Sequence, residues 1–333
     1  MRLHLNENTA GCSPAVLQAL QRLGRCDVGL YPDYDTAQGA VAGHLGLPAD
    51  HVLLTNGLDE GILAAAAAAC RDRANGVPEA LGVAPAFDMY EVSTTAIGGR
   101  MVTVPLNDEF ELAADDIRAA LTPRTRIVFL ANPHNPSGRR IPLGILRGLA
   151  ADVAPALLFA DEAYADFAGE TLIDPATLAA LPNLVVGRTF SKAYGLAGLR
   201  AGVVVAAPAT LDPMRNVVPP YSLNAWAAAA LPVAIEDRAY RDWYLEQAAT
   251  SRALLADACV RLGVRTWPSA ANFILVRVGN AAAVVGELAA RGVRVRDRSA
   301  EAGCEQCIRI TAGIVEDTRR AIAALEEVLC AAR

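Results

Sequence analysis

The sequence predicts an α/β protein: a large domain built on a mostly parallel seven-stranded sheet flanked by helices, with a smaller α+β domain beside it. Two observations carry that prediction. Strand-like apolar runs alternate with helix-like stretches through the first two thirds of the chain, the pattern of a parallel sheet covered by crossover helices. At 333 residues the chain also exceeds what one hydrophobic core usually accommodates, so two domains are expected.

The elements follow in order. The candidate strands are HVLLTNG (51–57), ALGVAPAF (80–87), GRMVTVPL (99–106), TRIVFLANP (125–133), ALLFADEAY (156–164), NLVVGRTFS (183–191) and AGVVVAAP (201–208). Several exit on small or polar residues: Asn56-Gly57, Asn132-Pro133, Asp161-Glu162 and Thr189-Phe190-Ser191. Ligands of open α/β sheets bind beyond the carboxyl ends of the strands, so chemistry is expected at those exits. After about residue 222 the texture changes. A long helical region, interrupted at Pro232, leads to NFILVRV, a helix AAAVVGELAARG, VRVRD, CIRITAG and a final helix EDTRRAIAALEEVL. The predicted division is a large domain over 29–225 and a small one made of 1–28 and 226–333.

Composition narrows the function. Hydrophobic residues make up 53% and charged residues 20%, enough apolar mass for a large core. A net charge of −6 gives no basic face for nucleic acid or an anionic membrane surface, so neither is expected as a partner. The longest apolar run, ILAAAAAAC, falls short of the ~20 residues a membrane helix needs. The start, MRLHLNENTAG, lacks the apolar stretch of a signal peptide. Seven cysteines spread thinly fit reduced thiols in the cytoplasm. The close pair Cys304 and Cys307 lacks neighbouring ligands, and no metal is expected.

One residue stands apart. Of thirty Lys plus Arg residues, Lys192 in TFSKAYGLAGLR (189–200) is the sole lysine. Arginine stays protonated, whereas a desolvated lysine can lose its proton, and only a neutral amine attacks a carbonyl. Lys192 therefore reads either as a Schiff-base former or as a surface residue that escaped the arginine bias. Its neighbours Thr189, Ser191 and Arg200 form a phosphate-binding set. Asn56-Gly57 before an Ala-rich helix offers free N–H groups to an anion. Asp161 could cap a helix, or hold a pyridine nitrogen protonated if Lys192 carries pyridoxal phosphate. Asn135, fixed between two prolines in NPHNPSG, could donate to that cofactor or simply close a turn.

The ordered set NPHNPSG, DEAYADF, TFSKAYGLAGLR and CIRITAG resembles the fold-type I pyridoxal-phosphate aminotransferases. Within them, LNENT, YPD, TNGLDEGI, GVRVRD and IRITAG most resemble the histidinol-phosphate aminotransferases, over nearly the whole chain. The resemblance implies pyridoxal 5'-phosphate on Lys192, with Asp161 on the pyridine nitrogen and Tyr164 and Asn135 on the ring oxygen. It implies Thr189, Arg200 and the backbone around Leu58 and Asp59 on the phosphate, and Phe87 stacked on the ring, where an ordinary core aromatic is the other reading. Tyr31 resembles a tyrosine that reaches the phosphate from a neighbouring subunit, implying a homodimer. Arg309 resembles the arginine that grips a substrate carboxylate, and Arg296 the extra one for histidinol phosphate. Arg296 also shares period-two spacing with Arg294 and Arg298, so a solvated basic strand edge is its rival reading.

The family usually carries an N-terminal arm before its LNENT equivalent, and this chain begins almost at that motif. Asn6, Glu7 and Asn8 are expected as a polar lip, with Asn6 and Asn135 among the substrate contacts. The expected reaction moves an amino group from a small-molecule donor like histidinol phosphate to a keto acid such as 2-oxoglutarate. Two alternatives keep the cofactor: an aromatic or other amino-acid aminotransferase, and a decarboxylase of threonine phosphate. A non-catalytic sensor is disfavoured by the intact Lys192 and by the lack of a basic DNA-binding segment.

Overall fold

The computed structural model describes residues 1–331. The chain opens with α1 (Pro14–Gln21), α2 (Arg25–Gly29) and α3 (Tyr34–Leu45), then alternates: β1 (Val52–Asn56), α4 (Leu58–Ala69), β2 (Glu79–Ala84), α5 (Met89–Ala96), β3 (Arg100–Pro105), α6 (Ala114–Ala120), β4 (Thr125–Ala131), α7 (Leu143–Val153) and β5 (Leu157–Asp161). Next come α8 (Ala165–Ala168), α9 (Pro175–Ala180), β6 (Leu184–Thr189), β7 (Ala201–Val205) and α10 (Pro208–Arg215). The remainder holds α11 (Ala225–Glu236), α12 (Arg238–Arg261), β8 (Arg265–Thr266), β9 (Phe273–Arg277), α13 (Ala281–Ala290), β10 (Arg296–Asp297), β11 (Cys307–Thr311) and α14 (Val315–Ala331).

The seven apolar runs all become strands of one sheet, ordered β1-β7-β6-β5-β4-β2-β3. From β6 to β3 the neighbours are parallel, and only β7 runs against its partners β1 and β6. Both faces are covered, which is why these strands read as continuous apolar runs. On one face α4 and α5 pack over Ile62, Tyr90, Phe129 and Phe159. On the other, Val16 of α1 and Ala227 to Ile235 of α11 join the core beneath α3 and α7.

A second sheet, β10-β11-β9-β8, is antiparallel and covered by α12, α13 and α14. The N-terminus joins this unit. Leu3 N–H donates to the Arg294 carbonyl and the Leu3 carbonyl accepts from Thr311 N–H. Leu3 is fully buried in that second core. The VRVRD segment is consequently shared, its first half pairing with residues 1–3 and its second half with β11.

Pro232 does not interrupt the long helix as expected. It lies inside α11, and the break falls at Asp237. Proline removes one N–H from the helix interior, but it leaves the rest of the ladder intact. Asp237 instead ends one helix and caps the next, accepting from Tyr240 N–H while Ser13 Oγ donates to its other oxygen.

Candidate active site

The carboxyl ends of β1, β4, β5 and β6 meet the second sheet around a cavity of about 580 Å³. Its lining includes Leu58, Asp59, Phe87, Asn135, Asp161, Tyr164, Thr189, Lys192, Arg200, Arg296 and Arg309. The strand exits named from the sequence thus converge on one space.

At one end lies an anion cradle. Gly57 precedes α4 with φ +79, and α4 begins without a side-chain cap, leaving its first-turn N–H groups pointed at the cavity. A Cβ on Gly57 would lie 2.5 Å from Arg200 Nη2, and one on Gly202 would lie 2.5 Å from Leu58 N. The two glycines therefore let the Arg200 strand approach the helix end as side chains could not. Arg200 Nη2 donates to Asp59 Oδ2 at 2.9 Å, and Thr189 Oγ1 accepts from Ser191 N–H. Helix N–H groups, a hydroxyl and a guanidinium suit a phosphate.

In the middle, Asp161 ends β5 and is buried. Burial pushes its carboxyl above the usual range, while hydrogen bonds from Tyr90 Oη at 2.7 Å and Ala163 N–H at 3.0 Å pull it back. A cationic ring nitrogen would offset the remaining burial penalty. Tyr90 itself stacks on Phe129 at 4.9 Å and meets Phe87 edge-on at 5.9 Å. Lys192 Nζ donates to the Leu5 carbonyl at 2.9 Å and stands 6.0 Å from the Tyr164 ring centre.

At the other end Arg309 is buried, 6% exposed, with no carboxylate within ion-pair range among the described residues. Burial lowers its pKa to about 10. Its Nη1 donates to Asn135 Oδ1 at 2.5 Å and its Nη2 to the His4 carbonyl at 3.0 Å. A buried guanidinium held only by neutral acceptors calls for an anionic ligand. With Asn135 Oδ1 occupied by Arg309, the Asn135 amide NH₂ is left as the donor toward the cavity.

These features fit pyridoxal phosphate: a phosphate cradle, a lone lysine, a buried carboxylate opposite, and free amide and hydroxyl donors between. Arg296 and Arg298 also line the cavity, so the period-two arginines are not a uniform solvated edge. Arg294 and Arg296 are exposed, whereas Arg298 is buried and paired with Glu301. Tyr31 is the exception. It is 79% exposed, stacked on Tyr221 at 4.3 Å, and is absent from the cavity lining of the single chain. Asn6 also departs from expectation. Rather than forming a polar lip, it is 1% exposed, because Tyr164 and Thr311 take up its amide.

Sequence reasoning missed Tyr90, His4 and Arg298. Tyr90 sits in the first turn of α5, three residues after Phe87, which precedes that helix and meets it edge-on. Cys304 and Cys307 are both buried free thiols, and no cluster able to hold a metal occurs among the described residues.

Fold and site together define a fold-type I pyridoxal-phosphate enzyme. Residues 1–325 match the family model for aminotransferase class I and II, and the chain belongs to that family of pyridoxal-phosphate-dependent transaminases. It is 35% identical to histidinol-phosphate aminotransferase 1 of Thiobacillus denitrificans, over 100% of this chain and 86% of that protein. It is 36% identical to histidinol-phosphate aminotransferase 2 of Ralstonia nicotianae, over 100% and 89%. Among solved structures, histidinol-phosphate aminotransferase from Sinorhizobium meliloti in complex with pyridoxal 5'-phosphate superposes with a TM-score of 0.90 at 28% identity, covering 100% of this chain and 91% of that one. No helix among the described residues is long and apolar enough to cross a membrane.

Proposed function

We propose that this transaminase moves the amino group of histidinol phosphate, or a close phosphorylated analogue, to 2-oxoglutarate, with Lys192 as the cofactor-bearing and proton-moving residue. The observation that carries this reading is the trio Arg296, Arg298 and Arg309 on one wall of the cavity that also holds Lys192. Arg298 is paired with Glu301, and the concentration of guanidiniums on this wall suits a substrate that brings a dianionic phosphate. The 35–36% identity to proteins named histidinol-phosphate aminotransferase supports the same donor.

The bound cofactor supplies an electron sink next to the transferred amine. The rest falls to the chain. Thr189, Arg200 and the start of α4 hold the phosphate end, and Phe87 covers the ring. Asp161 keeps a proton on the ring nitrogen, since a carboxylate already burdened by burial gains most from a cationic neighbour. Asn135 and Tyr164 donate to the ring oxygen. Lys192 Nζ, which donates to the Leu5 carbonyl in this structure, would remove the proton from the substrate α-carbon and return it on the far side of the transferred nitrogen. Arg309 then grips the keto acid's carboxylate in bidentate geometry. Tyr31 serves the neighbouring subunit's phosphate in a homodimer, consistent with its exposure and its stacking on Tyr221. The unit of the seven-stranded sheet, whose core also takes in α1 and α11, holds the cofactor, and the unit of the four-stranded sheet supplies Arg296 and Arg309, with Asn6 on the N-terminal segment paired to it.

The test is a donor panel with 2-oxoglutarate: histidinol phosphate, phosphothreonine and the aromatic amino acids. Glutamate is expected with histidinol phosphate. An inert histidinol phosphate beside reactive aromatic amino acids would reject the phosphorylated donor. Carbon dioxide from phosphothreonine without a keto acid would make the enzyme a decarboxylase. The fold admits that outcome, because L-threonine-O-3-phosphate decarboxylase from Porphyromonas gingivalis superposes with a TM-score of 0.82 at 24% identity.

A further inference from the structure

The N-terminal strap crosses the cavity between the two sheets, and its Asn6 sits where hydrogen-bond direction can be worked out atom by atom. Asn6 has φ +55, a left-handed conformation that asparagine tolerates better than most side chains. Its carbonyl accepts from Asn272 Nδ2 at 3.0 Å, and its N–H donates to Thr311 Oγ1 at 3.1 Å. The Thr311 hydroxyl therefore acts as an acceptor there, and its own hydrogen goes to Asn6 Oδ1 at 3.3 Å. That fixes which end of the Asn6 amide faces which way. The NH₂ group points at Tyr164 Oη, 3.0 Å away, and donates to it.

A phenol oxygen that already accepts from an amide has one hydrogen left to give. Tyr164 Oη makes no other hydrogen bond among the described residues, and its residue lines the cavity. The charged groups on the same cavity, Lys192, Asp161 and Arg309, do not bond to it. Thr311 and Arg309 sit two residues apart on β11 and so share a strand face. One strand thus carries both the guanidinium on Asn135 and the hydroxyl that orients Asn6.

We infer that Asn6 is a positioning residue that commits the Tyr164 hydroxyl to donate into the cavity, onto the cofactor's ring oxygen, and that Thr311 sets Asn6 in the required orientation. The inference rests on the cofactor assignment above. It makes the strap part of the machinery that tunes the cofactor's electronics rather than a cover over the site. A donor on the ring oxygen draws off negative charge that would otherwise help hold the chromophore's proton, so losing it raises the pH at which the visible band titrates.

The test uses the purified holoenzyme and follows its visible absorption against pH. In Asn6→Asp the new carboxylate can only accept, so the Tyr164 hydrogen turns to it and away from the cofactor. The midpoint is expected to rise by about one pH unit, the scale of one hydrogen bond to a charged group. A bare effect of the added charge is separated by repeating Asn6→Asp in Tyr164→Phe, where the further rise is expected to vanish. Equal shifts in both backgrounds, or an unchanged midpoint in the single variant, would overturn the inference. Should Asn6→Asp fail to fold, Thr311→Val carries the same test, with a smaller rise expected and an unmoved midpoint rejecting the role. A wild-type preparation that never shows the band removes the cofactor reading itself, which is a distinct result.

Discussion

Arg309 of the four-stranded sheet donates through Nη1 to Oδ1 of Asn135, in the loop that leaves β4 of the seven-stranded sheet, at 2.5 Å. This contact joins the substrate end of the cavity to its cofactor end. It settles the direction of the Asn135 amide and leaves the guanidinium's other edge without a carboxylate.

Replacing Arg309 by Lys keeps the charge and removes the planar fork. The keto-acid half-reaction is expected to lose about a hundredfold or more in kcat/KM, the cost of a charge-assisted pair in a buried site. Most of the loss is expected in the KM for 2-oxoglutarate. Single-turnover kinetics of the two half-reactions check it, and a Lys variant with unchanged keto-acid affinity contradicts the assignment.

Asp161 sets stability against function. Because burial raises its carboxyl pKa in the folded state, ionising it weakens the cofactor-free protein as pH climbs above the unfolded value. Asp161→Asn should therefore leave the cofactor-free melting temperature at neutral pH unchanged or higher by about 2 °C. The same variant should bind pyridoxal phosphate more weakly and turn over at least a hundredfold more slowly. Calorimetry with and without cofactor separates the two effects, and a melting temperature lowered in both states would refute the first.

His134 links the NPHNPSG loop to pH. Its Nε2 donates to the Pro85 carbonyl and its Nδ1 accepts from Ser137 Oγ, so the folded state holds a neutral ring. Burial depresses its pKa from 6.5 to about 4. Stability from this neutral histidine is full above pH 6.5 and drains as pH falls toward 4, because only the unfolded chain takes up the proton. At about 1.4 kcal/mol per pH unit the loss reaches about 3 kcal/mol. Urea unfolding at pH 7, 5.5 and 4.5 should show that decline, and His134→Gln should flatten it.

Tyr31 is tested by mixing. Tyr31→Ala and Lys192→Ala proteins are each expected to be impaired, and the proposed dimer makes their mixture informative. If Tyr31 acts across the interface, a mixed dimer contains one site with both residues intact. Activity should return on unfolding and refolding the two together. No recovery would place Tyr31 outside the neighbour's site.

The sequence by itself determined the sheet and most of the cavity. Seven apolar runs became seven strands because a sheet buried on both faces needs uninterrupted hydrophobic strands, and that requirement is written locally. Asp161 and Thr189 were legible because the functional end of a parallel strand is its carboxyl end, a property of direction alone, and Lys192 because it is the sole lysine of the chain. Tertiary structure decided what depends on partners distant in the chain. Pro232 stayed inside a helix because the interior tolerates a missing donor there, while Asp237 was recruited by Ser13 from the other end of the chain. Asn6 became a buried neighbour of Tyr164 and Thr311, separated from it by 158 and 305 residues. Whether a side-chain amide accepts or donates is settled by the groups folded against it, and no local pattern records those.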